Sequence, residues 1–223
     1  MDVYKLFLIV HIFAGSIGLI AGTIVIEAKK GNDFHRFIGN IFFYSMLFAG
    51  VSAFVLSILK SNVFLFILGV FTVYMVLTGK SYLYYKRNKS SKIRVTDKLV
   101  FLLMSLTVIA FVLFGIKWLF EKKAFAMVFF VFAFISNRFL QTDYKFSRSD
   151  SANWKDSVAI HLQRMMGAYI ASTTAFLVVN VKYIPFEIPS FIWWLLPTAI
   201  FTPLIVKWSN KYSPKKSSNP TVQ

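Results

Sequence analysis

The chain has no cysteine, and only nine of its 223 residues are acidic and three are histidine. The first absence removes disulfides, thiolate metal sites and nucleophilic thiols together. The scarcity of acids has a positional side: all nine are read in loops or at helix ends, none inside an apolar run. A cation-coupled transporter usually needs an intramembrane carboxylate, so this distribution counts against one. No internal inverted repeat and no H-x3-H pair is evident, and no stretch is left over for a soluble domain.

What is present is apolar. The composition is 57% hydrophobic and 18% aromatic, with 26 phenylalanines and a mean hydropathy of +0.63. A soluble domain could neither bury nor expose that much apolar side chain, so the solvent is lipid. A spanning helix needs roughly 20 mostly apolar residues at about 1.5 Å each. Apolar runs between charged breaks predict helices near 3–26, 37–59, 63–85, 98–119, 124–140, 161–181 and 190–208. The fold class is therefore an all-α transmembrane bundle of about seven helices over residues 1–212, with a disordered tail over 213–223. Run 124–140 only just spans, because it ends in Asn137, Arg138 and Gln141; without it the count is six. The longest polar connection is expected at 141–160.

Alternating these helices across a membrane puts 19 of the 25 Lys and Arg residues on one face. By the positive-inside rule that face is cytoplasmic, so the N-terminus is outside and the C-terminus inside. The first helix keeps its charge after a full-length span, at Glu27-Ala28-Lys29-Lys30, which is not the pattern of a cleaved signal peptide. The net charge of +16 is read as topology and as attraction for anionic lipid headgroups at the cytoplasmic face of a bacterial cytoplasmic membrane, not as a nucleic-acid surface. Trp118, Tyr183, Trp193 and Trp194 on the outer side, and Trp154 and Trp208 on the inner side, fall at the expected water boundaries. Pro197 and Pro203 are expected to bend the last helix.

Each histidine opens a short pattern. His11, Gly15, Gly18 and Gly22 share one helical face, so a smooth glycine stripe carries one imidazole. One reading is a packing seam, with His11 hydrogen-bonded to a neighbouring Ser, Thr or carbonyl; the other is a site, since an ionisable group at that depth is a functional hypothesis. His35 and His161 open the second and sixth helices at the cytoplasmic ends and can be neighbours, whereas His11 lies about 15 to 20 Å from them by helix rise. Arg36, Arg138 and Arg164 lie at the same level and would suit an anionic ligand. The sixth helix, with His161, Ala168, Ser172 and Ala175 on one face, is expected to pack centrally.

The run His11-x3-Gly15-x2-Gly18-Leu19-x2-Gly22, then Gly31-x3-His35-Arg36-x2-Gly39, resembles a family of bacterial membrane proteins of unknown function. The run His161-x2-Arg164-Met165-x-Gly167-Ala168-Tyr169 is similar to its C-terminal part. The family carries no established activity, so the resemblance implies the architecture and singles out the histidines. Histidine-glycine helices are also similar to those of transmembrane b-type cytochromes. That likeness implies a haem-binding or quinone-linked redox protein, with His11, His35 and His161 as ligands or quinone contacts and Arg36, Arg138 and Arg164 holding propionates. A metal-dependent hydrolase would instead use His35, His161 and Asp97 as ligands with water in the fourth position. The third reading is a small-molecule or lipid transporter, sensor or assembly factor without chemistry of its own, and no catalytic residue is singled out.

Overall fold

The structure is a computed structural model that describes residues 2–89, 93–148, 156–185 and 187–212. Among these residues there are seven α-helices and no strand: α1 (Val3–Glu27), α2 (Asp33–Leu59), α3 (Val63–Arg87), α4 (Val95–Phe120), α5 (Ala126–Arg148), α6 (Ser157–Asn180) and α7 (Ser190–Tyr212). All except α5 are long and apolar enough to cross a membrane. The chain is an integral, multi-pass membrane protein. The expected tail over 213–223, Trp154, Lys92, Lys155, Lys215 and Lys216 lie outside the described residues.

Local chemistry sets where the first helices begin. Asp2, Asn32 and Asn62 accept hydrogen bonds from the N–H groups of Tyr4, His35 and Leu65 respectively, capping α1, α2 and α3. Between α1 and α2 the chain turns at Gly31, whose φ of 85° suits a residue without Cβ. Lys30 folds back over the end of α1, where its Nζ donates to the carbonyls of Val25 (3.0 Å), Ala28 (3.3 Å) and Ile26 and lies 4.6 Å from the centre of the Trp208 ring. Burial there lowers the Lys30 pKa from its ordinary value, against the opposing charge of Glu27.

At one end of the bundle the α1–α2 turn, the end of α3, the starts of α4 and α6 and the ends of α5 and α7 come together, as contacts such as Lys30–Trp208, Ser81–Asp97 and Gln163–Ser209 require. This is the basic end. The opposite end collects Lys60 over Tyr4, and Trp118, Phe125 and Trp194. Helix α3 is central, packed on α2, α4 and α6, and α6 packs in turn on α1, α3 and α7.

Helix α5 departs most from its sequence reading. It continues eight residues beyond 140, to Arg148, and so consumes the first part of the expected 141–160 connection. It runs antiparallel to α4, with Phe129 against Trp118 and Phe132 against Phe111, and at its other end Phe146 packs on Tyr82 and Tyr85 of α3. Apolar runs end where one face turns polar, but the buried face of α5 continues through Phe132, Ser136, Leu140 and Phe146 at helical spacing. Asn137, Arg138, Gln141 and Lys145 take the exposed face. Helix α7 continues through both Pro197 and Pro203.

Small residues let backbones meet. At the α2–α3 crossing, a Cβ added at Gly69 would lie 3.0 Å from the Gly50 carbonyl oxygen and 3.2 Å from the Phe54 nitrogen. Gly22 similarly lies under Tyr169 and Phe42, whereas nothing stands within 4 Å of a Cβ at Gly15. Gly69→Ala is therefore expected to lower stability by about 1–3 kcal/mol through overpacking. Gly15→Ala should be neutral or slightly stabilising, by up to about 1 kcal/mol from helix propensity. Thermal unfolding of the two variants in detergent checks the pair; equal behaviour would contradict the close crossing.

Candidate functional site

The site is built from the α3–α6 contact outward. A Cβ on Gly79 would come 3.0 Å from the Cβ of Arg164, so the missing side chain is what brings α6 against α3. His161 fixes the contact: its Nδ1 lies 2.8 Å from the Gly79 carbonyl oxygen. A carbonyl only accepts, so Nδ1 carries the proton and donates. One turn further along α6, Arg164 enters the bundle with no exposure at all.

Its countercharge comes from α5. Arg164 Nη2 donates to Asp143 Oδ1 at 2.6 Å and to the Phe139 carbonyl at 2.9 Å, and the guanidinium lies 4.2 Å from the centre of the Phe139 ring. Two tyrosines of α3, two turns apart, complete the carboxylate: Tyr74 donates to Oδ2 and Tyr82 to Oδ1 at 2.7 Å. Bridging those turns places the carboxylate near the level of Thr78, about 13 Å in from the end of α3 by helix rise. The expectation that no acid lies inside the helices is thus corrected. The apolar run ends at 140, but α5 continues to Arg148, so Asp143 is an interior helical residue with a side chain 13% exposed.

A second carboxylate stands closer to the basic end. Asp97, in the first turn of α4, accepts from Ser81 at 2.6 Å, from Tyr85 and from Arg94 Nε at 3.0 Å. Arg94 also donates to Ser81 at 2.6 Å. The hydrogen bond that Arg94 donates to Asp97, and the charge of that carboxylate, raise the Arg94 pKa above its ordinary value despite partial burial.

Between these carboxylates a cleft of about 570 Å³ opens at the basic end. Helix α3 contributes Thr78, Ser81, Tyr82 and Tyr85, α4 contributes Asp97, Lys98 and Phe101, and α5 contributes Asp143, Tyr144, Ser147 and Arg148. Edge-on packing of Tyr82 on Tyr85 (6.1 Å between centres) and of Phe146 on Tyr82 (5.0 Å) holds the aromatic wall. The cleft lining carries two carboxylates, both supplied with donors, and two cations, Lys98 and Arg148; Arg164 lies behind Asp143, outside the lining, with Nε and Nη1 buried without a hydrogen-bond partner.

The residues singled out in the sequence are placed differently from one another. His11 lies on α1 with Nδ1 at 3.0 Å from the Ala49 carbonyl and 3.2 Å from Ser52 Oγ, which is the packing-seam arrangement. His35 and His161 lie within electrostatic reach of each other, and His35 Nδ1 is buried without a partner. Arg36 is exposed and pairs with Asp33 at 3.3 Å, and Arg138 is exposed and donates to Gln141 at 2.7 Å. Of the three arginines only Arg164 is interior. Among the described residues no group of three or more His, Asp or Glu side chains is arranged to hold a metal ion. The residues missed by sequence reading are Asp143, Tyr74, Tyr82 and Tyr85. The available signal was helical spacing: Tyr74, Thr78, Ser81, Tyr82 and Tyr85 form one polar stripe on α3, and Ser136, Leu140 and Asp143 share one face of α5. Comparison with family models, with curated proteins and with solved structures gives no match for this chain.

The buried pair yields a quantitative expectation. Arg164→Met strands the Asp143 carboxylate and should cost about 3–5 kcal/mol, as should Asp143→Leu for the opposite reason. Replacing both together should recover most of that loss, because two apolar side chains need no countercharge. Thermal melts of the two single variants and the double variant measure the coupling; additive losses would contradict a direct pair.

Proposed function

We propose that the protein is a non-catalytic membrane transporter or binding protein for a small amphipathic organic anion, which it takes through the α3–α4–α5 cleft. The observation that carries this reading is the Arg164 guanidinium, which stands behind Asp143 of the cleft lining, fully buried, bound to Asp143 and to the Phe139 carbonyl through Nη2 and left with Nε and Nη1 unpartnered. An anion that reached it past Asp143 would accept from one of those N–H groups. Asp143 then acts as the resting counterion that an incoming anion displaces or joins. Lys98 and Arg148 at the lining raise the local concentration of anions, and Tyr82, Tyr85, Tyr144 and Phe101 supply aromatic surface for an apolar body.

A cationic ligand fits less well. Asp143 already accepts from Tyr74, Tyr82 and Arg164, and Asp97 from Ser81, Tyr85 and Arg94, whereas Lys98 and Arg148 have no ion-pair partner among the described residues. The haem and quinone reading rests on His11, His35 and His161, and none of them lines this cleft. The same proposal places the basic end in the cytoplasm of a bacterial cytoplasmic membrane, with the N-terminus outside, following the charge asymmetry of the loops.

The test uses purified protein and proteoliposomes with benzoate, succinate and, as cationic control, benzylamine. Benzoate is expected to raise the melting temperature of the wild type and to exchange across the bilayer. Lys98→Gln should weaken binding by about fivefold, the effect of about 1 kcal/mol for one cation near a site. Stabilisation by benzylamine alone, or a haem absorption spectrum that survives loss of the cleft, would overturn the proposal.

A further inference from the structure

We infer that a second groove, between α2, α3 and α4 at the same basic end, is a binding site for the headgroup of an anionic phospholipid. The groove encloses about 620 Å³ and is separate from the anion cleft, with which it shares only Ser81 and Asp97 as a common wall. Three cations line it, Lys80, Arg87 and Arg94, against the single carboxylate of Asp97. That carboxylate is already engaged by Arg94, Ser81 and Tyr85. Among the described residues neither Lys80 nor Arg87 has an ion-pair partner. With Arg94 paired to Asp97, the groove presents the two unpaired cations Lys80 and Arg87, the complement of a phosphate diester.

Lys80 is held in position, which matters more for a site than charge alone. Its Nζ donates to Asn40 Oδ1 at 2.8 Å and lies 4.3 Å from the centre of the Phe43 ring. Arg94 is similarly placed, 4.7 Å from the centre of the Tyr84 ring and tied to Asp97. These contacts fix two ammonium or guanidinium groups at one level, as headgroup recognition between helices requires.

The flanks of the groove identify a lipid rather than a soluble anion. Tyr44 and Leu83, at 53% and 40% exposure, line it on the outward side. One turn deeper along α2 and α4, Phe48 and Leu103 are exposed on helices of membrane-spanning length. A phosphate seated among Lys80, Arg87 and Arg94 would thus have apolar surface beside it for acyl chains, with the tyrosines at the boundary.

The experiment is native mass spectrometry of the detergent-purified full chain with phosphatidylglycerol or phosphatidylcholine of matched acyl chains, alongside inorganic phosphate in a thermal-shift assay. Wild type is expected to retain phosphatidylglycerol in preference to phosphatidylcholine. Arg87→Gln should reduce that preference about fivefold, and Lys80→Gln with Arg87→Gln about 25-fold, as about 1 kcal/mol per cation implies. Because Arg87 is exposed and has no described ion pair, the single variant decides the matter if the double variant fails to fold. An unchanged preference in Arg87→Gln, equal retention of both lipids by wild type, or stabilisation by inorganic phosphate as large as that by phosphatidylglycerol would each overturn the inference. Benzoate binding in the α3–α4–α5 cleft is scored separately, so the two sites fail or stand independently.

Discussion

A guanidinium cannot be left alone inside a helical bundle. Stripping it of water costs several kcal/mol even after relaxation, so its position dictates what must surround it. Arg164 sets that requirement here. It obliges α5 to carry a carboxylate to its level, and Asp143 in turn draws hydroxyls from Tyr74 and Tyr82 on α3. Gly79 gives α6 the closeness to α3 that this geometry needs, and His161 locks the contact through the Gly79 carbonyl. Three helices are thereby held in one register by a single charged pair. A buried pair of this kind adds little net stability compared with apolar residues of similar volume, so stability alone does not account for it.

The same interior charge explains how the basic end is organised. Asp143 and Asp97 stand at two levels along α3, each met by hydroxyls and one arginine, and the cleft lies between them. Asp97 also forms the partition toward the α2–α3–α4 groove. One side of that partition has aromatic walls and leads toward the Arg164 pair. The other carries cations and opens beside lipid-facing side chains. In that second groove the surplus of positive charge that the loops show as topology is also a local excess at a defined cavity.

Six of the helices and the antiparallel order were legible in the sequence because hydropathy is an average and those runs are apolar all round. The seventh was legible only in part. Helix α5 looked finished at 140 because Asn137, Arg138 and Gln141 lower the average, yet those residues occupy one face while Phe132, Ser136, Leu140 and Phe146 keep the other buried. The error carried through to the site, since ending α5 early placed Asp143 in a loop and left Arg164 without a countercharge. His11 illustrates the opposite limit. Its glycine stripe was visible, but whether the imidazole served packing or chemistry depended on Ala49 and Ser52, 38 and 41 residues away, and no spacing rule connects them. Arg36, Arg138 and Arg164 could likewise be assigned to one level, but not to inward or outward faces.

The central claim is that water and small solutes reach the level of Asp143 from the basic end. Because the chain has no cysteine, single cysteines can be read without background. The decisive measurement is the rate at which a membrane-impermeant thiosulfonate modifies Thr78→Cys, on the cleft wall, in proteoliposomes, with Ser147→Cys at the lining of α5 as the accessible reference and the fully buried Phe111→Cys as the inert one. The account predicts that Thr78→Cys reacts from the face bearing the basic loops and is slowed by benzoate. Reactivity as low as that of Phe111→Cys, or reaction only from the opposite face, would contradict it.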